Sequence, residues 1–264
     1  VCSSDLILKK AFNEGWIDVC ENKGKRSGAY SSGCFGVHPY VLLNYKPVLN
    51  DVFTIAHELG HAMHSYYSNS TQPISKAEYE IFVAEVASTV NETLLVMHLL
   101  KEAKGDYRKY LLSYLLNMFR TTIFRQAQFA EFEEKAHDMV EKDIPITPDG
   151  LCDMYFDLNK LYYGEDVIND ELIRYEWARI PHFYSSFYVY KYSTGLISAI
   201  CIAKDILAKG DEAVKDYKKF LCAGGSMSPV EILKLAHVDL TSDEPYQKAM
   251  DFYKSTLDEL ISMS

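Results

Sequence analysis

The segment Asn50–Tyr67, NDVFTIAHELGHAMHSYY, carries the clearest helical pattern in the sequence. Its apolar residues recur at spacings of three and four, which is typical of a helix that buries one face. Asn50 or Asp51 could cap the first turn. Downstream, Gln72-Pro73 would end the helix, because proline lacks a backbone donor and fixes φ. The sequence therefore predicts a helix from about residue 51 to about residue 67.

Most of the remaining chain continues this helical pattern after a short β-like start. The first 20 residues predict a short helix and a turn, and residues 21–36 a glycine-rich loop. Residues 37–45, VHPYVLLNY, have the character of a strand, and Pro39 suggests a sheet edge. Further helices are expected over residues 77–103, 106–140, from a Thr147 cap onward, 183–208, 211–221, 228–236 and 245–261. These patterns predict a mainly α, multi-helix domain with a small β element near the N-terminus.

Composition narrows the class of protein. The 264 residues carry 27 Lys and Arg against 37 Asp and Glu, a net charge of −10, so nucleic acid is not an expected partner. The longest uncharged run, residues 27–45, is too polar to span a bilayer, and no signal peptide is visible at residues 1–5. The six cysteines show no C-x-x-C pair. We expect reduced thiols in a cytoplasmic protein without a membrane partner.

Within the first predicted long helix, His57-Glu58-Leu59-Gly60-His61 forms an H-E-x-x-H motif. Residues four apart share one helix face, so both imidazoles can bind a single metal ion. Two neutral histidines suit zinc, and Glu58 lies close enough to accept a proton from an activated water. Gly60 lowers helix stability by roughly 1 kcal/mol relative to Ala, which suggests close packing against another element. A chance match on a core helix is the alternative.

A site with two histidines needs a third protein ligand. The extended motif with a third His is excluded, because the sequence has His64 and Tyr67 where that motif requires Gly and His. The next helix offers four glutamates: Glu78, Glu80, Glu85 and Glu92. Glu85 is favoured because small and apolar residues flank it, and a buried carboxylate is costly unless it is paired or bound to metal. A salt-bridged core glutamate is the alternative at this position.

Two more residues could support the ligands. Glu92 shares a helix face with Glu85 and could orient a ligand imidazole. His64 shares a face with His61, where it could either assist the site or pack in the core.

The ordered motifs resemble those of the zinc oligopeptidases related to thimet oligopeptidase, most closely the oligoendopeptidase F branch. The resemblance rests on His57–Ser65 and Phe82–Ser88, and it continues at Thr122–Gln126, Ile180–Tyr184 and Ala223–Ser226. It implies a zincin-like catalytic domain over residues 1–264. Because members of this family are about twice as long, we expect the chain to correspond to their C-terminal half, without the N-terminal helical half.

The resemblance also implies an activity. His57, His61 and Glu85 would bind one zinc ion per chain, and Glu58 would act as the general base. The expected function is a zinc-dependent endopeptidase that hydrolyses short oligopeptides, which are its expected partners. The stretch Gly28–Asn44 would supply the edge strand along which a peptide aligns, with a structural turn as the alternative.

A downstream cluster matches the residues with which the family holds the substrate carbonyl and stabilises the oxyanion. The matching residues are His182, Tyr188 and Tyr192. On a helix, Tyr188 and Tyr192 would share a face, so two phenol groups could reach one oxyanion. Core packing of both tyrosines is the alternative.

Two other functions stay open at this point. Glu58–His61 and Glu134–His137 are both E-x-x-H motifs, and with Glu85 between them they would suit a di-iron carboxylate protein. Against this, Glu134 lies in a charged stretch typical of a solvated face, and His57 would be left unused. The other alternative is a folded zinc-binding fragment that is inactive without an N-terminal half.

Overall fold

A computed structural model describes residues 2–263, with side chains from residue 6 to residue 263. Helices dominate these residues, and the mainly α fold with a small sheet near the N-terminus is confirmed. The chain divides into two units. Unit 1 comprises Val1–Leu115 and Gly195–Ser264, and unit 2 comprises Leu116–Thr194. The single catalytic domain expected over residues 1–264 stays a prediction.

Helix α1, Cys2–Asn13, precedes three short strands: β1 Ile17–Asp18, β2 Tyr30–Ser32 and β3 Tyr40–Leu42. Strand β3 is central, parallel to β1 and antiparallel to β2. The edge position predicted from Pro39 is therefore wrong. Pro39 precedes β3, so its missing N–H removes no hydrogen bond from the strand pairs. Strands β1 and β2 fall in segments expected to be turn and loop, because two or three residues are too few to show alternation.

The remaining helices occupy most of the chain. They are α2 Leu49–Thr71, α3 Ile74–Ala77, α4 Ile81–Glu102, α5 Gly105–Met118, α6 Arg125–Glu141, α7 Pro148–Tyr163, α8 Tyr190–Lys209, α9 Asp211–Leu221, α10 Pro229–Lys234 and α11 Glu244–Ser262. A π-helical turn, Phe119–Phe124, joins α5 to α6, so the long helix predicted over 106–140 is three helical segments in succession. Two 3₁₀ segments, Glu171–Arg179 and Pro181–Tyr184, precede α8.

Helix α2 begins slightly earlier than predicted and lacks the expected cap. Its N-cap is Val48, which makes no side-chain cap, so neither Asn50 nor Asp51 has that role. The Asp51 carboxylate instead accepts a hydrogen bond from the backbone N–H of Lys46 at 2.6 Å. The C-cap is Gln72, directly before the proline that was expected to end the helix.

Helix α4 runs through the core of unit 1. Val83, Val86 and Val90 are each 0% exposed, and they cluster with residues of α8 and α9 that include Ile202 and Phe220. By length and composition alone α4 could cross a membrane. Its buried valines show instead a helix that packs among the other helices of this unit.

Unit 2 has a hydrophobic core of its own. It is built from Phe129 and Phe132 of α6, Tyr155 and Leu158 of α7, and Ile180 and Val189 from the following segments. Helix α7 begins as predicted, because the Thr147 hydroxyl accepts a hydrogen bond from the Gly150 N–H at 3.2 Å. The first turn also holds a proline, which needs no donor there.

A buried carboxylate links the elements of unit 2. Glu176 is 7% exposed and accepts hydrogen bonds from Arg125 at 2.5 Å, from the Tyr155 hydroxyl at 2.6 Å and from Arg179. Burial alone would raise the pKa of Glu176, but the bonds from Tyr155 and Arg125 and the charges of both arginines outweigh burial and lower it.

The lowered pKa of Glu176 predicts an acid-dependent stability. Its contribution is present above the pKa of an unfolded glutamate, about 4.3, and is lost as the pH falls through the lower folded-state pKa. Glu176→Gln should lower the free energy of unfolding by about 2 kcal/mol at neutral pH, because Arg125 and Tyr155 lose a charged acceptor. As the pH falls below the folded-state pKa of Glu176, the difference in unfolding free energy between Glu176→Gln and the wild type should shrink.

Urea unfolding followed by tryptophan fluorescence at neutral and acidic pH measures this effect. Glu165→Gln, which changes an exposed glutamate of the same unit, is the matched control. A destabilisation by Glu176→Gln that does not depend on pH would contradict the prediction.

Candidate metal centre

Three side chains of unit 1 converge on one point. His57 and His61 stand one turn apart on α2, and Glu85 projects from α4. The two Nε2 atoms are 3.1 Å apart, and Glu85 Oε2 lies 3.5 Å from His57 Nε2 and 3.7 Å from His61 Nε2. Ligands about 2.0–2.1 Å from a tetrahedral ion would be separated by about 3.3 Å, so these spacings fit the donor set of one metal ion.

The partners of the two rings support the same interpretation. His57 Nδ1 lies 2.5 Å from Glu92 Oε1, so this nitrogen carries the proton that is shared with the carboxylate. The ring of His61 hydrogen-bonds the backbone carbonyl of Ala84, which requires its other nitrogen as the donor. Both Nε2 lone pairs then face each other and Glu85. Such an arrangement is repulsive unless a proton or a metal ion stands between the three atoms.

The electrostatics of the cluster favour positive charge at His57. Burial alone would lower the pKa of His57, but the bond to Glu92 and the charges of Glu92, Glu85 and Glu58 outweigh burial and raise it. Burial, with a smaller effect from His57, lowers the pKa of His61 to about 3, so His61 is neutral. A neutral imidazole beside a site that attracts a cation is what a histidine metal ligand requires.

Glu58 lies beside the ligands and is 6% exposed. Burial raises its pKa, and the charge of His57 and a hydrogen bond from the backbone N–H of Ser31 oppose that rise. Ser31 belongs to β2, which is an edge strand of the sheet. The strand therefore fixes the orientation of the carboxylate that sequence reasoning assigns as a general base.

The close approach of α2 and α4 at Gly60 brings the ligands together. A Cβ placed on Gly60 would lie 2.5 Å from Ser88 Cα and 2.6 Å from the carbonyl oxygen of Ala87. Because both neighbours are backbone atoms, only glycine allows the two helices to approach this closely. The close packing inferred from a glycine within the motif is present in the structure.

Gly195 is a residue of the site that sequence reasoning missed. It lies on α8, and a Cβ at this position would lie 3.2 Å from the Cβ of Glu85. A side chain at residue 195 would therefore press against Glu85 and shift one of the two by a few tenths of an ångström. A lone glycine inside the helical pattern of residues 183–208 was the available signal.

The other residues considered from the sequence lie outside the ligand set. His64 is 1% exposed, and its ring stacks on Tyr79 with centroids 3.7 Å apart, so it packs in the core. Glu78 and Glu80 line a cavity of about 970 Å³, whose wall also includes Ala84, next to Glu85. Glu92, by contrast, contacts the imidazole of His57, so its role in orienting a metal ligand stays a prediction.

The His and Tyr cluster predicted downstream is found within unit 2. The hydroxyl of Tyr192 lies 3.3 Å from His182 Nε2, and the rings of Tyr188 and Tyr192 have centroids 5.6 Å apart. The prediction that both tyrosines share a helix is wrong, because α8 begins at Tyr190. Tyr188 nevertheless lies beside Tyr192, because the Lys191 N–H donates to the Tyr188 carbonyl at 3.3 Å in a turn that leads into the helix.

The second E-x-x-H motif has different surroundings. His137 packs its ring on Phe187, with centroids 4.6 Å apart, and Glu134 is exposed. Among the side chains of residues 6–263, His57, His61 and Glu85 form the one group with metal-binding spacing. This group includes His57, which a di-iron site built from the two E-x-x-H motifs would leave unused.

Residues 2–252 match the family model described as Peptidase family M3. The chain belongs to Peptidase family M3. Oligopeptidase PepF of Bacillus subtilis is 48% identical over 255 residues, an alignment that covers 96% of this chain and 38% of that protein.

Two crystal structures of other proteins superpose on the M3 chain. A Chlamydophila abortus protein assigned as a peptidase superposes with a TM-score of 0.89 and 47% identity, over 99% of this chain and 44% of that one. Oligoendopeptidase-F from Enterococcus faecium gives a TM-score of 0.73 and 43% identity, over 81% of this chain and 39% of that one. The chain thus spans 38 to 44% of the length of these three relatives.

The contact at Gly60 predicts how metal binding depends on packing in this M3 chain. Gly60→Ala should separate α2 from α4, which would lower the free energy of unfolding by about 1–3 kcal/mol and weaken binding of Zn²⁺ used as a probe. Thermal unfolding and Zn²⁺ titration measure the two effects. Ser70→Ala, on the exposed end of α2, should change neither; equal Zn²⁺ affinity in the wild type and Gly60→Ala would contradict the prediction.

Proposed function

We propose that the chain is the catalytic part of a zinc-dependent endopeptidase that hydrolyses peptide bonds in short oligopeptides. One observation carries the proposal: the lone pairs of His57 and His61 and the carboxylate of Glu85 converge at 3.1 to 3.7 Å, next to the buried Glu58. Membership of a peptidase family supports it.

His57, His61 and Glu85 would hold one zinc ion per chain. When bound, zinc acts as a Lewis acid that makes water more acidic and polarises a carbonyl group. Glu92 keeps the proton of His57 on Nδ1, so that Nε2 offers its lone pair to the site. These residues provide the donor set without any contribution from elsewhere in unit 1.

Glu58 would serve as the proton carrier. Its carboxylate accepts a proton from the attacking water and returns it to the amine of the departing peptide. The N–H of Ser31 restrains the carboxylate, so less motion is needed to bring an oxygen to the water. A buried carboxylate with a raised pKa is suited to both steps, because it can carry the proton between them.

Strand β2 supports an extended peptide as the substrate. It pairs with β3 on one side, and among the described strands nothing pairs with its other side. An exposed edge offers backbone donors and acceptors to a peptide of any sequence. This is consistent with a peptidase that accepts varied oligopeptides.

In unit 2, His182 and Tyr192 would supply donors for the oxyanion of the tetrahedral intermediate. Their contact at 3.3 Å keeps a ring nitrogen and a phenol hydroxyl side by side, and Tyr188 packs against both rings. With His182 Nε2–H donating to the Tyr192 oxygen, the Tyr192 hydroxyl would donate its own proton to the carbonyl oxygen, and this hydrogen bond strengthens as negative charge develops there.

A cytoplasmic location is part of the proposal. The cysteines with described side chains, from Cys20 to Cys222, are free thiols, and Cys2 lies outside the described side chains. Unpaired cysteines are typical of proteins that stay in a reducing compartment.

If Glu58 is the general base, replacing it should lower the rate of peptide cleavage without removing the zinc. Glu58→Gln should retain about one zinc per chain but lower the cleavage rate of a quenched-fluorescent oligopeptide by about 100-fold or more, because Gln cannot accept a proton. Metal analysis and the cleavage assay, with and without a chelator, measure the two quantities. Glu80→Gln, at an exposed position, is the control; near-wild-type cleavage by clean Glu58→Gln protein would reject the assignment.

If Glu85 is the third zinc ligand, replacing it should remove the zinc, unlike the replacement of Glu58. Glu85→Ala should lower zinc occupancy sharply, because two histidines alone bind zinc weakly compared with three protein ligands. Glu78→Ala, which removes an exposed carboxylate from the nearby cavity wall, should leave occupancy unchanged. Equal zinc occupancy in the two variants after dialysis would rule out Glu85 as a ligand.

A second candidate function is zinc binding without cleavage by this chain alone. It is favoured by the finding that the chain spans 38 to 44% of its relatives' length. Parallel assays on this chain and on any longer native polypeptide that contains it separate the two. Cleavage by the longer polypeptide alone would support the second candidate.

A further inference from the structure

Phe187 has an unusual backbone conformation for its residue type. Its φ is +53°, in the left-handed region that bulky residues rarely adopt, because Cβ there crowds the carbonyl oxygen. Phe187 lies in the short non-helical segment between the 3₁₀ turn that ends at Tyr184 and the start of α8 at Tyr190. Backbone strain of this kind persists only where the surroundings hold it in place.

A buried carboxylate of unit 2 holds this conformation. Glu133, on α6, is 6% exposed, and its Oε1 accepts the backbone N–H of Phe187 at 2.7 Å. Among residues 6–263, Glu133 forms no ion pair with Lys or Arg. Burying a carboxyl group without a cation is costly, so the hydrogen bond from the Phe187 N–H offsets part of the cost of its burial.

The same helix also holds the Phe187 side chain. His137 lies one turn after Glu133, and its ring packs on the Phe187 ring with centroids 4.6 Å apart. Helix α6 therefore contacts residue 187 through both its backbone and its ring. Two contacts from one rigid helix fix the direction in which the chain leaves this residue.

The direction of the chain at Phe187 decides where Tyr188 and Tyr192 lie relative to His182. The His182 ring has its centroid 5.5 Å from that of Tyr188 and 5.8 Å from that of Tyr192. With Phe187 in an extended or right-handed conformation, the segment would leave in another direction. His182 would then separate from Tyr188 and Tyr192, which stay together because the Lys191 N–H donates to the Tyr188 carbonyl in the turn that enters α8.

We propose that Glu133 is a positioning residue that, by holding Phe187 in the left-handed conformation, fixes the ring cluster of His182, Tyr188 and Tyr192. The inference rests on the proposed function, in which this cluster supplies oxyanion donors. Glu133 touches no reacting atom in this scheme. It acts through the backbone of Phe187.

The proposal is tested by removing the acceptor and then removing the strain. Glu133→Met keeps the side-chain length but has no carboxylate, whereas Glu133→Gln keeps an acceptor oxygen. Phe187→Gly, combined with Glu133→Met, lets residue 187 adopt a positive φ without steric cost. Glu134→Gln, at the exposed neighbouring position, is the matched control, and Glu133→Ala replaces Glu133→Met if that variant does not fold.

Kinetics on an oligopeptide give the first readout. Glu133→Met should lower kcat about tenfold, equivalent to about 1.4 kcal/mol of barrier, with little change in KM. Glu133→Gln and Glu134→Gln should stay within about twofold of the wild type, and Phe187→Gly should restore part of the kcat lost in Glu133→Met. Unchanged kcat in Glu133→Met, or no recovery in the double variant, would overturn the proposal.

Hydrogen exchange of the Phe187 amide gives a second readout that needs no activity. The amide should exchange about tenfold faster in Glu133→Met than in the wild type or Glu133→Gln, because its acceptor is gone. Equal protection in all variants would overturn the inference even if kinetics changed. If the wild type cleaves no peptide, the proposed function fails, and the exchange result still decides whether Glu133 holds this segment.

Discussion

The contact between α2 and α4 at Gly60 is the constraint on which the candidate metal centre depends. His57 and His61 share a face through helix periodicity alone, but Glu85 belongs to another helix, and its distance from them is set by how closely the two helices approach. A Cβ on Gly60 would meet backbone atoms of Ala87 and Ser88, which cannot move aside as a side chain could. The ligand spacing is therefore a property of backbone packing.

Packing brings the ligand atoms together, and hydrogen bonds determine which atoms face the centre. Glu92 and the carbonyl of Ala84 each take one nitrogen of a histidine, so both Nε2 lone pairs are left pointing inward. Without these two acceptors, the rings could protonate Nε2 and bind no cation. The helix that supplies Glu85 also supplies both acceptors, so one element positions a ligand and sets the tautomer of the others.

Much of this site could be predicted because its determinants are local. The spacing of His57 and His61 and the apolar surroundings of Glu85 are visible within one or two helical turns of sequence. Gly195 could not be predicted as a neighbour of Glu85, since that contact depends on the packing of α8. Strands β1 and β2 are too short to show a period, and Pro39 indicated an edge although the strand that follows it is central. The sequence predicts a helix at Tyr188 because nothing in it signals the positive φ of Phe187.

Carboxylates that are buried or partly buried recur in both units, and each one fixes a geometry. Glu92 holds the tautomer of His57, Glu176 joins Arg125 to Tyr155, and Glu133 binds the N–H of Phe187. Replacing such a group by an apolar side chain can leave stability unchanged or even raise it, because desolvation offsets much of the gain. These carboxylates contribute direction, because each accepts hydrogen bonds along defined lone pairs. An apolar contact of equal stability would leave a ring or a backbone segment free to turn. That difference explains why carboxyl groups are withdrawn from solvent at points where the orientation of a ring or a backbone segment is fixed.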